Sequence, residues 1–168
     1  MSLVKGHAVM AASVALVFAA CGTAATAQPQ TAAAVPAAKR SFGVAAGPSH
    51  HIRNEHNGEC LTADYRSDNV FTWDCQPDGH DKRWTYDEDT RQIRSDLNGK
   101  CLTVKWDGND VYTWACNDTP DKKWDYSPAT STFRNQRNGE CLTVKWGGND
   151  VYTWPCNDTP DKKWHFAD

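Results

Sequence analysis

Three short runs carry the residues best suited to holding a ligand. Val70-Phe71-Thr72-Trp73, Val111-Tyr112-Thr113-Trp114 and Val151-Tyr152-Thr153-Trp154 each alternate a branched residue with an aromatic one. Successive side chains of an extended strand point to opposite faces, so the two aromatics of each run share a face. Each run is followed by an Asp–Lys pair: Asp81-Lys82, Asp121-Lys122 and Asp161-Lys162. An aromatic surface can pack against the C–H face of a polyhydroxylated ring. A carboxylate beside it accepts from vicinal hydroxyls, and an ammonium donates to a hydroxyl or an acidic group. The same pairs also fit a plain solvated turn, because surface ion pairs are common and weak.

Other chemistry finds less support. His50, His51 and His56 cluster without a recurring ligand spacing, so no metal or other cofactor is expected. Asp107-Gly108-Asn109-Asp110 is acidic but lacks the alternating ligands of a calcium loop, and it reads as a hairpin turn. Asn117-Asp118-Thr119 and Asn157-Asp158-Thr159 fit the glycosylation acceptor pattern of a eukaryotic secretory pathway. Carboxylates are plentiful, yet none is set beside a nucleophile, so no catalytic residue is expected. The formal charge is −3 and no basic stripe runs along the chain, which argues against a nucleic-acid partner.

These residues sit in a chain that repeats itself. Asn-Gly-x-Cys-Leu-Thr occurs at Asn57–Thr62, Asn98–Thr103 and Asn138–Thr143, and Asp-Lys-x-Trp ends each unit at Trp84, Trp124 and Trp164. Cys60, Cys101 and Cys141 lie 41 and 40 residues apart, and each is followed by a second cysteine 15 residues on. A period of this length marks a closed or stacked repeat architecture. Within it, short Val/Thr/Tyr/Phe/Trp runs broken by Asn-Gly, Asp-Gly and Gly-Gly read as strands and hairpins, about four per unit, the first of each beginning near Ile52, Ile93 and Phe133. The units span about 51–91, 92–131 and 132–168. Three blades are too few for a propeller, whereas three units of this kind close as a barrel with pseudo-three-fold symmetry.

The Asn-Gly-x-Cys-Leu turn, the hairpin ending in x-Trp-x-Cys and the terminal x-x-Trp resemble the ricin B-chain lectin repeat. The resemblance covers about residues 51–168 and implies an all-β fold, a β-trefoil of three pseudo-symmetric four-strand repeats. Ile52/Ile93/Phe133, Leu61/Leu102/Leu142, Val70/Val111/Val151 and Trp84/Trp124/Trp164 would then be equivalent core layers. Six cysteines allow fifteen connectivities. Intra-repeat pairing of Cys60 with Cys75, Cys101 with Cys116 and Cys141 with Cys156 keeps the symmetry, and each bridge would add about 3 kcal/mol in the chain-entropy picture.

The resemblance further implies that Trp73, Trp114 and Trp154 are stacking platforms for a glycan partner, with Tyr112, Tyr152 and the Asp–Lys pairs beside them. The polar set nevertheless departs from the family. Thr62, Thr103 and Thr143 stand where an aspartate is usual, and Phe71, Tyr112 and Tyr152 where a glutamine is. The Asp–Lys pairs replace Asn-Gln. A galactose site therefore does not carry over, and a preference for acidic or differently configured sugars is expected. Trp106 and Trp146, beside glycine-rich hairpin tips, are either exposed for binding or packed on a neighbouring repeat. Repeats two and three differ at three of 27 positions between Asn98–Trp124 and Asn138–Trp164, so the same site is expected twice on a clustered or polymeric glycan. Repeat one, with Tyr65 at the tip, is expected to be scaffold. The competing expectation is a protein-binding trefoil, an inhibitor or receptor-binding module with degenerate sugar sites.

The start reads as an export signal over 1–27. Lys5 and His7 precede the apolar run Ala8–Ala20, which is too short for a membrane span, and Ala25-Thr26-Ala27 suits cleavage before Gln28. Phe18-Ala19-Ala20-Cys21 partly resembles a lipobox, which would instead anchor the protein to the cell envelope through Cys21. Residues 28–48, rich in Ala and Pro, read as a linker, and 49–168 as the folded domain. Six cysteines in that domain fit an oxidising, extracellular compartment.

Overall fold

The computed structural model describes residues 47–75 and 79–168. The signal, lipobox and most of the linker lie outside the described residues. The folded unit holds twelve strands, four per repeat. Repeat one contributes β1 (His50–Asn54), β2 (Cys60–Ala63), β3 (Val70–Trp73) and β4 (Arg83–Asp87). Repeat two contributes β5 (Gln92–Ser95), β6 (Cys101–Val104), β7 (Val111–Trp114) and β8 (Trp124–Ser127). Repeat three contributes β9 (Thr132–Asn135), β10 (Cys141–Val144), β11 (Val151–Trp154) and β12 (Trp164–Ala167). Between the third and fourth strands of each repeat lies one 3-10 turn: His80–Lys82, Pro120–Lys122 and Pro160–Lys162.

Six strands close the barrel. Antiparallel pairs β1–β12, β4–β5 and β8–β9 are its longest seams. Shorter junctions join the remaining neighbours: His50 pairs with Trp84, Trp124 N donates to Arg91 O at 2.8 Å, and Trp164 N donates to Ser131 O at 2.7 Å. Arg91 and Ser131 take left-handed backbone angles, φ 58° and 55°, which turns these carbonyls towards the next repeat. The other six strands form hairpins β2–β3, β6–β7 and β10–β11, each four residue pairs long. Disulfides 60–75, 101–116 and 141–156 staple one hairpin each, in the intra-repeat pairing expected from the sequence.

The three hairpins are stitched around the pseudo-three-fold axis by a cyclic set of backbone bonds. Thr72 N donates to Asn149 O, Thr113 N to Asp68 O and Thr153 N to Asn109 O, at 2.8, 2.7 and 2.8 Å. The asparagine of each Asn-Gly turn supports this ring. Asn57, Asn98 and Asn138 donate to the hydroxyls of Thr72, Thr113 and Thr153 at 2.9, 3.4 and 2.8 Å. The glycine that follows has φ near 70° in all three repeats, a conformation that a side chain would strain.

Ile52, Ile93, Phe133, the three leucines, the three valines and Trp84, Trp124 and Trp164 are all buried in one core. Each of these tryptophans begins or lies at the start of a barrel strand and sends its indole N–H to the hairpin of its own repeat. The acceptors are Leu61 O, Leu102 O and Leu142 O, at 2.8, 3.0 and 2.9 Å. Tyr86, Tyr126 and Phe166, which the sequence pattern did not single out, pack with Phe133 as an aromatic cluster against the same core.

The 3-10 turns are anchored by the repeat that follows them. Asn135 Nδ2 donates to Asp121 O and Lys123 O, both at 3.1 Å, and Asn54 does the same for Asp161 O and Lys163 O. At the equivalent place in repeat two Ser95 is too short for this role and caps Leu97 N instead. Asn135→Ala removes two bonds to the second turn, one of them buried, and urea unfolding is expected to show a loss of about 1–3 kcal/mol.

Candidate functional site

Val and Thr of the third strand of each repeat face the core, which turns Phe71, Tyr112, Tyr152 and the tryptophans two residues later outward. Trp73, Trp114 and Trp154 are 50–55% exposed, held by the adjacent disulfide-bonded cysteine. Each tryptophan has its strand partner alongside, with ring centroids 6.4, 6.1 and 6.1 Å apart for Phe71–Trp73, Tyr112–Trp114 and Tyr152–Trp154. The aromatic pairs expected from the alternation are therefore in place on one face of each strand.

The Asp–Lys pairs are neither a solvated turn nor free donors. The 3-10 turn rotates both side chains under the surface, and Asp121, Lys122, Asp161 and Lys162 are only 2–7% exposed. Lys122 Nζ donates to Asp121 Oδ2 at 2.7 Å and to Thr119 Oγ1 at 3.3 Å; Lys162 repeats this with Asp161 and Thr159 at 2.8 and 3.3 Å. The ammonium thus backs its carboxylate from inside, which corrects the expectation that these lysines reach out to a ligand. The second carboxylate oxygen, Oδ1, of both Asp121 and Asp161 is buried and closed to solvent, and the Thr119 and Thr159 hydroxyls bond these carboxylates alongside the lysines. Burial pushes these carboxyls up, but hydrogen bonds from Lys122 and Thr119, and from Lys162 and Thr159, outweigh it and hold both below the ordinary value. The Tyr112 phenol is pushed up by its burial and by the Asp121 charge close to it.

Repeat one is built differently at the same place. Gly79 stands where the other repeats have Thr119 and Thr159, and a Cβ there would lie 2.4 Å from Asp81 Oδ1. The Asp81 carboxylate occupies that space, its Oδ2 lies 3.3 Å from Lys82, and Tyr65 at the hairpin tip donates its hydroxyl to Oδ1 at 3.2 Å. The Asp81 carboxylate is thus tied to the hairpin tip, in place of the threonine of the other two repeats.

The other hairpin tips combine the two roles left open by the sequence. Trp106 and Trp146 are 69% and 61% exposed, yet each rests on the next repeat. Arg137 lies 5.6 Å over the Trp106 ring, and the His56 ring is 3.9 Å from that of Trp146. The near-identical repeats also differ in charge beside the platform. Lys100 sits 5.8 Å over the Trp114 ring while paired with Asp68, whereas Glu140 in repeat three accepts from Asn138 at 3.1 Å. Thr62, Thr103 and Thr143 are buried and donate to the carbonyls of Cys60, Cys101 and Cys141, so that wall offers no carboxylate. The entrance histidines diverge: His50 pairs with Asp168, His51 is buried and His56 meets Trp146. Among the described residues no group of His, Cys, Asp or Glu is gathered to hold a metal ion.

A family model of the ricin-type β-trefoil lectin domain matches residues 48–164. The chain belongs to that family. Solved structures agree on the fold. The haemolytic lectin CEL-III superposes with TM-score 0.60 at 31% identity, over 69% of this chain and 29% of its own. The C-terminal half of the earthworm R-type lectin, solved with GalNAc, gives 0.60 at 20% identity over 72% and 98%. The β-trefoil lectin of the Vibrio vulnificus haemolysin/cytolysin, solved with N-acetyl-D-lactosamine, gives 0.60 at 19% over 71% and 93%. This chain thus spans less than a third of CEL-III. A comparison with curated protein sequences gives no match.

The carboxylates set the response to acid. Asp121 and Asp161 have folded-state values below the ordinary 3.8, so the unfolded chain takes up these protons first. The stability they contribute is complete above that value and is lost as pH falls through the folded-state values. Urea midpoints are expected to drop below about pH 4. With both pairs replaced together, Asp121→Asn/Lys122→Gln and Asp161→Asn/Lys162→Gln, the drop is expected to be shallower.

Proposed function

We propose that the protein is an exported lectin that binds glycan through two equivalent shallow sites, one in repeat two and one in repeat three. The observation that carries this reading is an exposed tryptophan with a phenol alongside it. Trp114 and Trp154 are half-exposed, each about 6.1 Å from the ring of Tyr112 or Tyr152, where repeat one has Phe71 beside Trp73. In each site the tryptophan stacks on the sugar and Tyr112 or Tyr152 flanks it with its hydroxyl. The buried Asp121–Lys122 and Asp161–Lys162 pairs hold the turn beneath each site from within. Trp73 and Asp81 serve structure.

Membership of a lectin family supports binding rather than catalysis, and the earthworm and Vibrio domains were solved with sugars bound. Three disulfides support an oxidising compartment outside the cytoplasm, reached by secretion or, alternatively, through a lipid anchor at Cys21. A single shallow site binds near the millimolar range, about −4 kcal/mol. Two sites on one rigid body raise the avidity for a clustered or polymeric glycan.

A glycan array probed with residues 49–168 tests the reading. Trp114→Ala/Trp154→Ala, still folded by circular dichroism, is expected to bind more than about ten-fold more weakly, a loss of at least 1.4 kcal/mol. Trp73→Ala is expected to change binding by less than about two-fold. Asp161→Asn/Lys162→Gln keeps the buried pair neutral and is expected to weaken binding less than the tryptophan replacements do. Absence of any glycan signal from folded protein points instead to a protein partner.

A further inference from the structure

One cavity belongs to no single repeat. It is an open bowl of about 680 Å³ on the outer side of the hairpin ring, where β3, β7 and β11 meet. Its floor is Val70, Val111 and Val151, side chains that are otherwise buried. Beneath it lies the cyclic set of Thr N–H to Asp68, Asn109 and Asn149 carbonyl bonds, so the floor is rigid before any ligand arrives. The volume falls in the range of ligand sites and exceeds what one sugar ring fills.

The walls do not follow the three-fold symmetry. Tyr112 and Tyr152 line the bowl, whereas Phe71, their counterpart in repeat one, does not. Lys105 and Lys145 stand on the rim with Asp110 and Asp150. Their repeat-one counterpart Asp64 is occupied by Arg66 N and the Ser67 hydroxyl, each at 2.8 Å. The rim pairs are loose: Lys145 lies 3.4 Å from Asp150, and Lys105 leans to Asp107 at 3.8 Å, with all four side chains exposed. Exposed pairs of this kind are weak and give way readily to ligand hydroxyls. The bowl therefore offers an apolar floor, two phenols, two amines and two carboxylates, all directed to repeats two and three.

Those two tyrosines are also the inner members of the outward aromatic pairs. From Trp114 the ring of Tyr112 is 6.1 Å away; Tyr112 and Tyr152 line one bowl; from Tyr152 the ring of Trp154 is again 6.1 Å away. Building on the two sites proposed above, we propose that the bowl is a third, axial glycan subsite joining them. Its occupant is an internal stretch of one extended, β-1,4-linked polysaccharide chain running from Trp114 across the axis to Trp154. An extended chain can lie along the line Trp114–Tyr112–Tyr152–Trp154, which a coiled one cannot follow. Tyr112 and Tyr152 pack on the sugars inside the bowl, and the lysines and aspartates of the rim take their outward hydroxyls. The ligand is then recognised along its length and needs no free chain end.

Calorimetric titration with chito-, xylo- and cello-oligosaccharides of two to about eight units tests this. In at least one series affinity is expected to rise more than about ten-fold once the chain is long enough to reach both tryptophans. Asn69→Trp fills the bowl from its exposed rim, and Lys105→Ala/Lys145→Ala strips the rim without touching the core. Both are expected to abolish the gain with length while leaving the shortest binding oligosaccharide within about two-fold of the parent. A gain that survives in both variants, or binding that does not depend on length, overturns the axial subsite while the two-site lectin stands. Binding to the array with none of these series recognised overturns it in the same way. Loss of all binding in Trp114→Ala/Trp154→Ala with none in the bowl variants' short-ligand titrations separates the platforms from the axis. No glycan binding by any form overturns both.

Discussion

The indole of the buried tryptophan is the contact on which the rest of each repeat depends. Trp84, Trp124 and Trp164 fill the barrel with their rings and bond the hairpin of their own repeat through their one polar atom. An indole buried without an acceptor would be costly, so the carbonyls of Leu61, Leu102 and Leu142 must stay where they are. That fixes barrel and hairpin relative to each other. It also fixes the residues just before the tryptophan, because three positions of chain separate Trp124 from Asp121. The carboxylate at the candidate site is thus held by a core contact rather than by the surface around it. The anchoring of the same turn by Asn135, from the following repeat, adds a second constraint from across a repeat boundary.

Much of this was legible in the sequence because the repeats report the same physics three times. Asn-Gly before cysteine recurs because the turn needs both a left-handed residue and an amide that reaches the threonine of the repeat's third strand. Cysteines 15 residues apart, alternating Val/Thr and aromatic residues, and a terminal tryptophan gave hairpins, exposed platforms and core layers that the structure contains. The Asp–Lys pairs were not legible as buried. Charged neighbours next to proline have the composition of a surface turn, and only a single 3-10 turn beneath the hairpin turns both inward. Nor could sequence foresee the axial bowl. It arises from residues about forty apart meeting around an axis, and no local pattern records that closure.

The symmetry of the fold makes the departures from it informative. Repeats two and three keep the same platform, carboxylate and tyrosine, and their three differences include Lys100 against Glu140. That exchange has a structural reason in the neighbouring hairpin: Lys100 meets Asp68, whereas the residue corresponding to Asp68 opposite Glu140 is the neutral Asn109. Its side effect is that an ammonium lies over Trp114, so the two otherwise matching platforms present different charge to a ligand.

Repeat one departs more, and its departures are coordinated. Gly79 makes room for the Asp81 carboxylate, Tyr65 supplies the hydroxyl that Asp81 Oδ1 accepts, Phe71 removes a phenol and Asp64 removes a rim amine. The first two changes give the buried Asp81 carboxylate a donor from the hairpin tip. In repeats two and three the matching carboxylates are held instead by Lys122 with Thr119 and by Lys162 with Thr159, so the repeats satisfy the same buried carboxylate in two different ways. The turn is anchored in every copy, and what separates repeat one from the others lies at the surface: Tyr112 and Tyr152 keep a phenol beside the exposed tryptophan where repeat one has Phe71.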